Sequence, residues 1–195
     1  RLAPQWALFC NHDMGSENVD ALGRGWMETM QAAGIPAEQL NVAASGGGFG
    51  TELLAAYLLA HPETDVIFSA DFRRTLAFIM RLEADGYQIG QEINIIQLGS
   101  DEPLVRDFIK QGKIAFALDQ QPYLQAYLGV MLAYVHLKYG VTPVQQAFLT
   151  DPVVITQKNM ADMPMFKVPD FFLDNLRSAG IPEDILQGVQ ALQEQ

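Results

Sequence analysis

Short apolar runs alternate with longer stretches of helical periodicity through the first two thirds of the chain. Trp6–Cys10 (WALFC), Leu40–Ala44 (LNVAA), Asp65–Ala70 (DVIFSA), Ile93–Leu98 (INIIQL) and Ile114–Leu118 (IAFAL) are rich in β-branched and aromatic residues and lack strict apolar–polar alternation. That pattern predicts parallel strands buried on both faces. Between them, Val19, Leu22, Trp26 and Met30 share one helical face, with Ser16 as an N-cap and Gly34 and Pro36 as the stop. Further helices are expected over about 51–61, from Asp71 to a stop at Gly86, and over 102–111 before Gly112. Strands alternating with helices in this way predict an α/β fold with a parallel, doubly wound sheet and right-handed crossovers.

The fifth helix breaks the pattern. From Tyr123 to Tyr139 it is apolar nearly all round, and such a helix is expected to be covered on more than one side. A sheet covers only one. Asp151–Thr156 (DPVVIT) predicts one more short strand. In the tail, Asp170 is placed to cap FFLDNLRS, Gly180 to stop it, and Pro182 to open a last helix.

Composition narrows the partners. The 195 residues are enough for one ordinary domain or two small ones, and 49% hydrophobic against 18% charged residues is a globular balance. A net charge of -11 without a basic cluster argues against nucleic acid and against anionic membrane surfaces. The single Cys10 excludes an intrachain disulfide. RLAPQWALFC carries neither an initiator Met nor a signal-peptide pattern and enters a strand at once, which reads as a chain cut from something longer.

Most chemical motifs fail. Ser45–Thr51 (SGGGFGT) lies where phosphate loops belong, but no Lys-Ser/Thr pair follows, and Thr51 takes the place of the third dinucleotide glycine. It reads as a surface turn. His12, His61 and His136 fall on separate elements without metal-ligand spacing, and no nucleophile elbow is present. No metal, cofactor or catalytic residue is expected. What remains is positional. Ligands of open parallel sheets bind beyond the carboxyl ends of the strands. Those ends are followed by Asn11, His12 and Asp13, then Ser45, Asp71, Ser100 and Asp101, and finally Asp119, Gln120 and Gln121. The edge collects carboxylates and amides with hardly any cation, which suits the hydroxyls of a neutral polyol. Asp71 and Asp101 also stand where helix N-caps stand, and capping is the competing reading for both.

The run DQQPYLQAYLGVMLAYVHLKYG resembles the periplasmic sugar-binding proteins of ABC transporters, in the type I, ribose-binding-like group. The resemblance extends from about Trp6 to Met160, through LFCNHDMG, IFSADFRRTLAFI and IIQLGSDEPLVRDFIKQGKIAFALDQQP. It implies the C-terminal lobe of such a protein with the N-terminal lobe largely missing. Residues 1–120 would be that ligand-binding lobe and 121–150 the hinge crossover and a helix of the other lobe. Residues 151–162 would be a return strand, and 163–195 a helical tail without assigned role, read as covering the lobe. In the family the Asp of a G-x-D element and the Gln two residues before the turn proline contact sugar hydroxyls. Asp101 and Gln120 match them. By the same matching Asn11 and Asp71 face the ligand, and Asp20 lies near a helix position that often contributes. An Arg usual near the start of the first helix is replaced by Leu22, with Arg24 two residues on.

The function so implied is binding of a sugar or similar polyol in an inter-lobe cleft, for uptake through a membrane permease in the periplasm. It is not catalysis. The alternatives are a ligand sensor coupled to a histidine kinase, the effector domain of a lac-repressor-type regulator, and a Rossmann-like enzyme. An isolated fragment is expected to self-associate through the fifth helix.

Overall fold

A computed structural model describes residues 4–45, 48–100, 102–140, 142, 150–160, 170–178 and 180–191. The chain divides into two compact units. One holds Arg1–Asp119 with Val154–Lys158, and the other Gln120–Val153 with Asn159–Gln195.

The first unit is built on β1 (Ala7–Asn11), α1 (Glu17–Ala32), β2 (Ala37–Asn41), α2 (Thr51–Ala60), β3 (Val66–Ser69), α3 (Phe72–Ala84), β4 (Asn94–Leu98), α4 (Pro103–Lys110) and β5 (Ile114–Asp119). With β6 (Val153–Ile155) the strands form a six-stranded sheet in the order β2-β1-β3-β4-β5-β6. The pairs from β2 through β5 are all parallel, with Ala7 opposite Ala37 and Val66, and Val66 opposite Asn94. The α/β, doubly wound fold read from the alternation is therefore the observed one.

Handedness decides which face each helix covers. The step from β1 to β2 runs one way across the sheet, and the steps to β3, β4 and β5 run the other way. Right-handed crossovers then put α1 on one face and α2, α3 and α4 on the other. On the α1 face Ala7, Phe9, Val66, Phe68 and Ile96 form the core with Val19, and Trp26 and Met30 pack against it. Gly23 lets α1 approach closely: a Cβ there would stand 3.1 Å from Phe9 Cε1 and 2.5 Å from Gln39 Oε1. On the opposite face Leu8, Ile67 and Ile95 are completely buried.

Two sequence expectations shift. The second strand is Ala37–Asn41 rather than Leu40–Ala44, and Val42–Ser45 turns into a 3-10 segment. As an edge strand β2 is buried on neither side in full, so AEQLN lacks the apolar signature that drew the reading to LNVAA. In SGGGFGT, Gly50 is buried with φ +84°, and a Cβ would meet Val42 Cβ at 2.6 Å. Close packing, not a phosphate, requires that glycine.

The second unit contains α5 (Pro122–Tyr139), α6 (Asp170–Ser178) and α7 (Glu183–Ala191). Leu124, Leu128 and Val135 of α5 are buried against Leu173, Leu176, Ile181 and Leu186. The tail thus supplies one cover for the uniformly apolar helix. The opposite stripe keeps Val130 69%, Tyr134 42% and Leu137 84% exposed.

Candidate ligand edge

Because the strands from β2 through β5 pair in parallel, their carboxyl ends lie along one side of the sheet. At the end of β1, Asn11 is fully buried. Its Oδ1 accepts from the Asp13 backbone N–H (2.9 Å), and its Nδ2 donates to Asp20 Oδ1 (3.0 Å). The other Asp20 oxygen accepts from the Gly15 N–H (3.0 Å). Each oxygen of Asp20 thus accepts one bond, and this residue of the first turn of α1 stitches the loop after β1. In the same loop His12 Nδ1 is buried with no hydrogen-bond partner among the described residues.

Asn41 ends β2 in register with Asn11, and its Oδ1 accepts from the Ala43 N–H at 3.1 Å. At β3, Ser69 is buried and Asp71 caps α3, its Oδ1 accepting from the Arg74 N–H at 2.9 Å. Capping and ligand contact, the two readings of Asp71, are compatible with one another, because one cap bond uses one oxygen. Below this, Gln97 is fully buried on the face covered by three helices, where its amide meets the Thr75 hydroxyl and the Leu98 carbonyl.

At β4 and β5 the fully buried Ser100 donates from Oγ to Asp119 Oδ2 (2.9 Å). Asp101 lies outside the described residues. Gln120 belongs to the second unit and is exposed; its carbonyl accepts from Gln125 Nε2 at 2.7 Å. Gln121 adopts a left-handed backbone (φ 56°) and donates from Nε2 to the Asp151 carbonyl at 2.7 Å. The polar DQQ run therefore has three different duties: Asp119 ties to Ser100, Gln121 ties the start of α5 to the returning chain, and Gln120 is left exposed.

The edge also holds more positive charge than the residues following the strands indicate. Arg74 and Arg106 stand in the first turns of α3 and α4, which begin at this edge, and reach the carbonyls of Val42 (3.4 Å) and Ser100 (3.2 Å). The sequence reading took only residues directly after each strand and so passed over them. Asn41 was missed with the misplaced β2, and the Ser100–Asp119 pair had no signal in spacing. Cys10, one residue before Asn11, is buried, and burial pushes its thiol above the usual range. Among the described residues no group of three or more His, Cys, Asp or Glu is placed to hold a metal. No helix among them is long and apolar enough to cross a membrane.

No family model and no curated protein matches the chain. Solved structures do. The periplasmic ribose ABC transporter structure from Conexibacter woesei is 16% identical, covers 83% of this chain and 54% of its own, and has a TM-score of 0.71. An ABC transporter periplasmic solute-binding protein from Actinobacillus succinogenes with bound D-allose is 16% identical over 82% and 55%, with a TM-score of 0.70. A carbohydrate transporter from Acidothermus cellulolyticus in complex with myo-inositol is 20% identical over 82% and 53%, with a TM-score of 0.69. The chain is thus similar in fold to periplasmic sugar-binding proteins of ABC transporters, and it spans about half the length of the structures it matches. Its sheet is that of a type I periplasmic-binding-protein lobe.

Proposed function

We propose that the chain is part of a solute-binding protein that holds a sugar or similar polyol at the carboxyl edge of its sheet, within a cleft closed by a second lobe. The observation that carries this reading is the convergence of Asn11, Asn41, Asp71, Ser100 and Asp119 on one edge of a parallel sheet. Carboxylates and amides there suit paired hydroxyls, and the D-allose and myo-inositol complexes of similar fold support the ligand class. In this reading the whole protein works in the periplasm with a membrane permease and performs binding rather than chemistry. Asp101 and Gln120 contact ligand hydroxyls, Asp71 adds its second oxygen, and Asn11 and Asp20 hold the loop that shapes the site. The 195-residue chain alone self-associates through the exposed stripe of α5, which sedimentation would register.

The test is calorimetry on the full-length protein against D-ribose, D-allose and myo-inositol. With a binding sugar identified, Asp101→Ala and Gln120→Ala each lower affinity by about 1.5–3 kcal/mol while leaving the melting temperature nearly unchanged. Unchanged affinity for both variants would remove both residues from the site; the N-cap position of α4 belongs to Glu102, not to Asp101.

A further inference from the structure

Among the described residues only Phe49 and Gln121 combine a side chain with a left-handed backbone. Gln121 (φ 56°, ψ 54°) stands between β5 and α5, where that conformation is costly twice over. In the left-handed region its Cβ crowds the following carbonyl, and Pro122 pushes the residue ahead of it toward extended backbone. Residues so strained persist only where neighbouring groups hold them, and they gather at sites that grip ligands. Here the holding groups are two amides. Gln121 Nε2 donates to the Asp151 carbonyl at 2.7 Å. Gln125, one turn into α5, reaches back with main chain and side chain together. Its N–H donates to the Gln121 carbonyl at 3.0 Å and its Nε2 to the Gln120 carbonyl at 2.7 Å. The same Nε2 also donates to the Thr150 hydroxyl at 3.1 Å.

These bonds bracket one residue. The Gln120 main chain is held at its carbonyl by Gln125 and, one residue on, by the bond that keeps Gln121 left-handed, while the Gln120 side chain is exposed. Starting a helix requires none of this. An ordinary N-cap has extended backbone and serves the first turn with its own side chain, whereas the Gln121 side chain makes no cap bond to α5. We propose that Gln121 and Gln125 are positioning residues, which hold the Gln120 main chain in the geometry that presents its amide to a hydroxyl of the bound sugar. The proposal rests on the reading that Gln120 contacts ligand, and it adds the two residues that preorganise that contact. A side chain whose main chain is already fixed loses less freedom on binding, so both ties act on affinity without touching the sugar.

The test is a double-mutant cycle on the full-length protein, read by calorimetry with D-ribose, D-allose and myo-inositol and by amide relaxation without ligand. Gln125→Met keeps length and helix preference but removes the donor. It is expected to lower sugar affinity about fivefold, the worth of one neutral hydrogen bond, and to change it little in a Gln120→Ala background. Gln121→Ala loses its tie and keeps the strain, whereas Gln121→Gly takes the left-handed backbone without cost. The glycine variant is therefore expected to bind more tightly than the alanine variant, the reverse of an ordinary surface position, where glycine's added freedom is the greater loss. Without ligand, the Gln120 amide gains fast motion in Gln125→Met and Gln121→Ala, seen as a lowered order parameter. Unchanged order at Gln120 in both variants would overturn the proposal, whichever sugar binds. If Gln120→Ala weakens binding while Gln125→Met and Gln121→Ala bind as the native protein does, the positioning role alone falls. An equal loss from Gln125→Met with and without the Gln120 side chain overturns it as well, because the residue then acts elsewhere. Native affinity in Gln120→Ala removes the ligand contact itself, and the positioning role with it.

Discussion

The two ends of the sheet carry similar residues to different purposes. At the amino end, Asp65 turns its carboxylate onto the backbone: it accepts from the Gln5 N–H at 2.9 and 3.0 Å and from the Trp6 N–H at 3.1 Å. Trp6 in turn donates from Nε1 to the Tyr57 hydroxyl at 2.8 Å and stacks on His61. These groups fasten the entry of β1. At the carboxyl end the carboxylates meet side chains and loop N–H groups instead. Asp20 holds Asn11 and Gly15, Asp119 holds Ser100, and Asp71 spends one cap bond. A carboxylate saturated by backbone donors is structural. Asp71, with a single cap bond at the end of a parallel strand, is the carboxylate the proposed site draws on.

This contrast predicts a graded series in which stability cost falls along the path from one end to the other. Asp65→Ala is expected to be the most damaging, at about 3 kcal/mol in chemical denaturation, because charge-assisted bonds to two main-chain donors are lost together. It leaves sugar affinity of the full-length protein unchanged. Asp20→Ala comes next, at about 2 kcal/mol, since the buried Asn11 amide loses its acceptor, and it also weakens binding by loosening the loop after β1. Asp20→Asn retains Oδ1 and recovers part of both losses. Asp71→Ala costs about 1 kcal/mol, the usual worth of an N-cap. A fall in affinity beyond that stability change separates ligand contact from capping. A series in which all three substitutions lowered stability equally would erase the distinction between the ends.

The strand–helix alternation was legible because buried parallel strands and amphipathic helices have different periods, and Gly34, Gly86 and Gly112 end helices by the expected left-handed turns. The edge strand β2 was not legible, since a strand only half-buried along its length carries no continuous apolar run. The line of polar residues at the carboxyl edge followed from parallel topology alone. Its internal pairing did not: Asn11 with Asp20 and Ser100 with Asp119 are contacts across loops and strands that sequence spacing cannot encode. Nor does periodicity name a cover for α5. The tail leucines that bury it stand roughly 40 residues beyond its end, and nothing local links them.

The central claim is that the carboxyl edge is where ligand sits. Amide chemical-shift mapping of the full-length protein during titration with a binding sugar tests it most directly. The account predicts perturbations clustered at Asn11–Ser16, Asp71–Arg74, Ser100–Glu102 and Asp119–Gln121, with the amino end around Trp6, Asp65 and Asn94 silent. Perturbations gathered at the amino end, with the carboxyl edge unmoved, would contradict it.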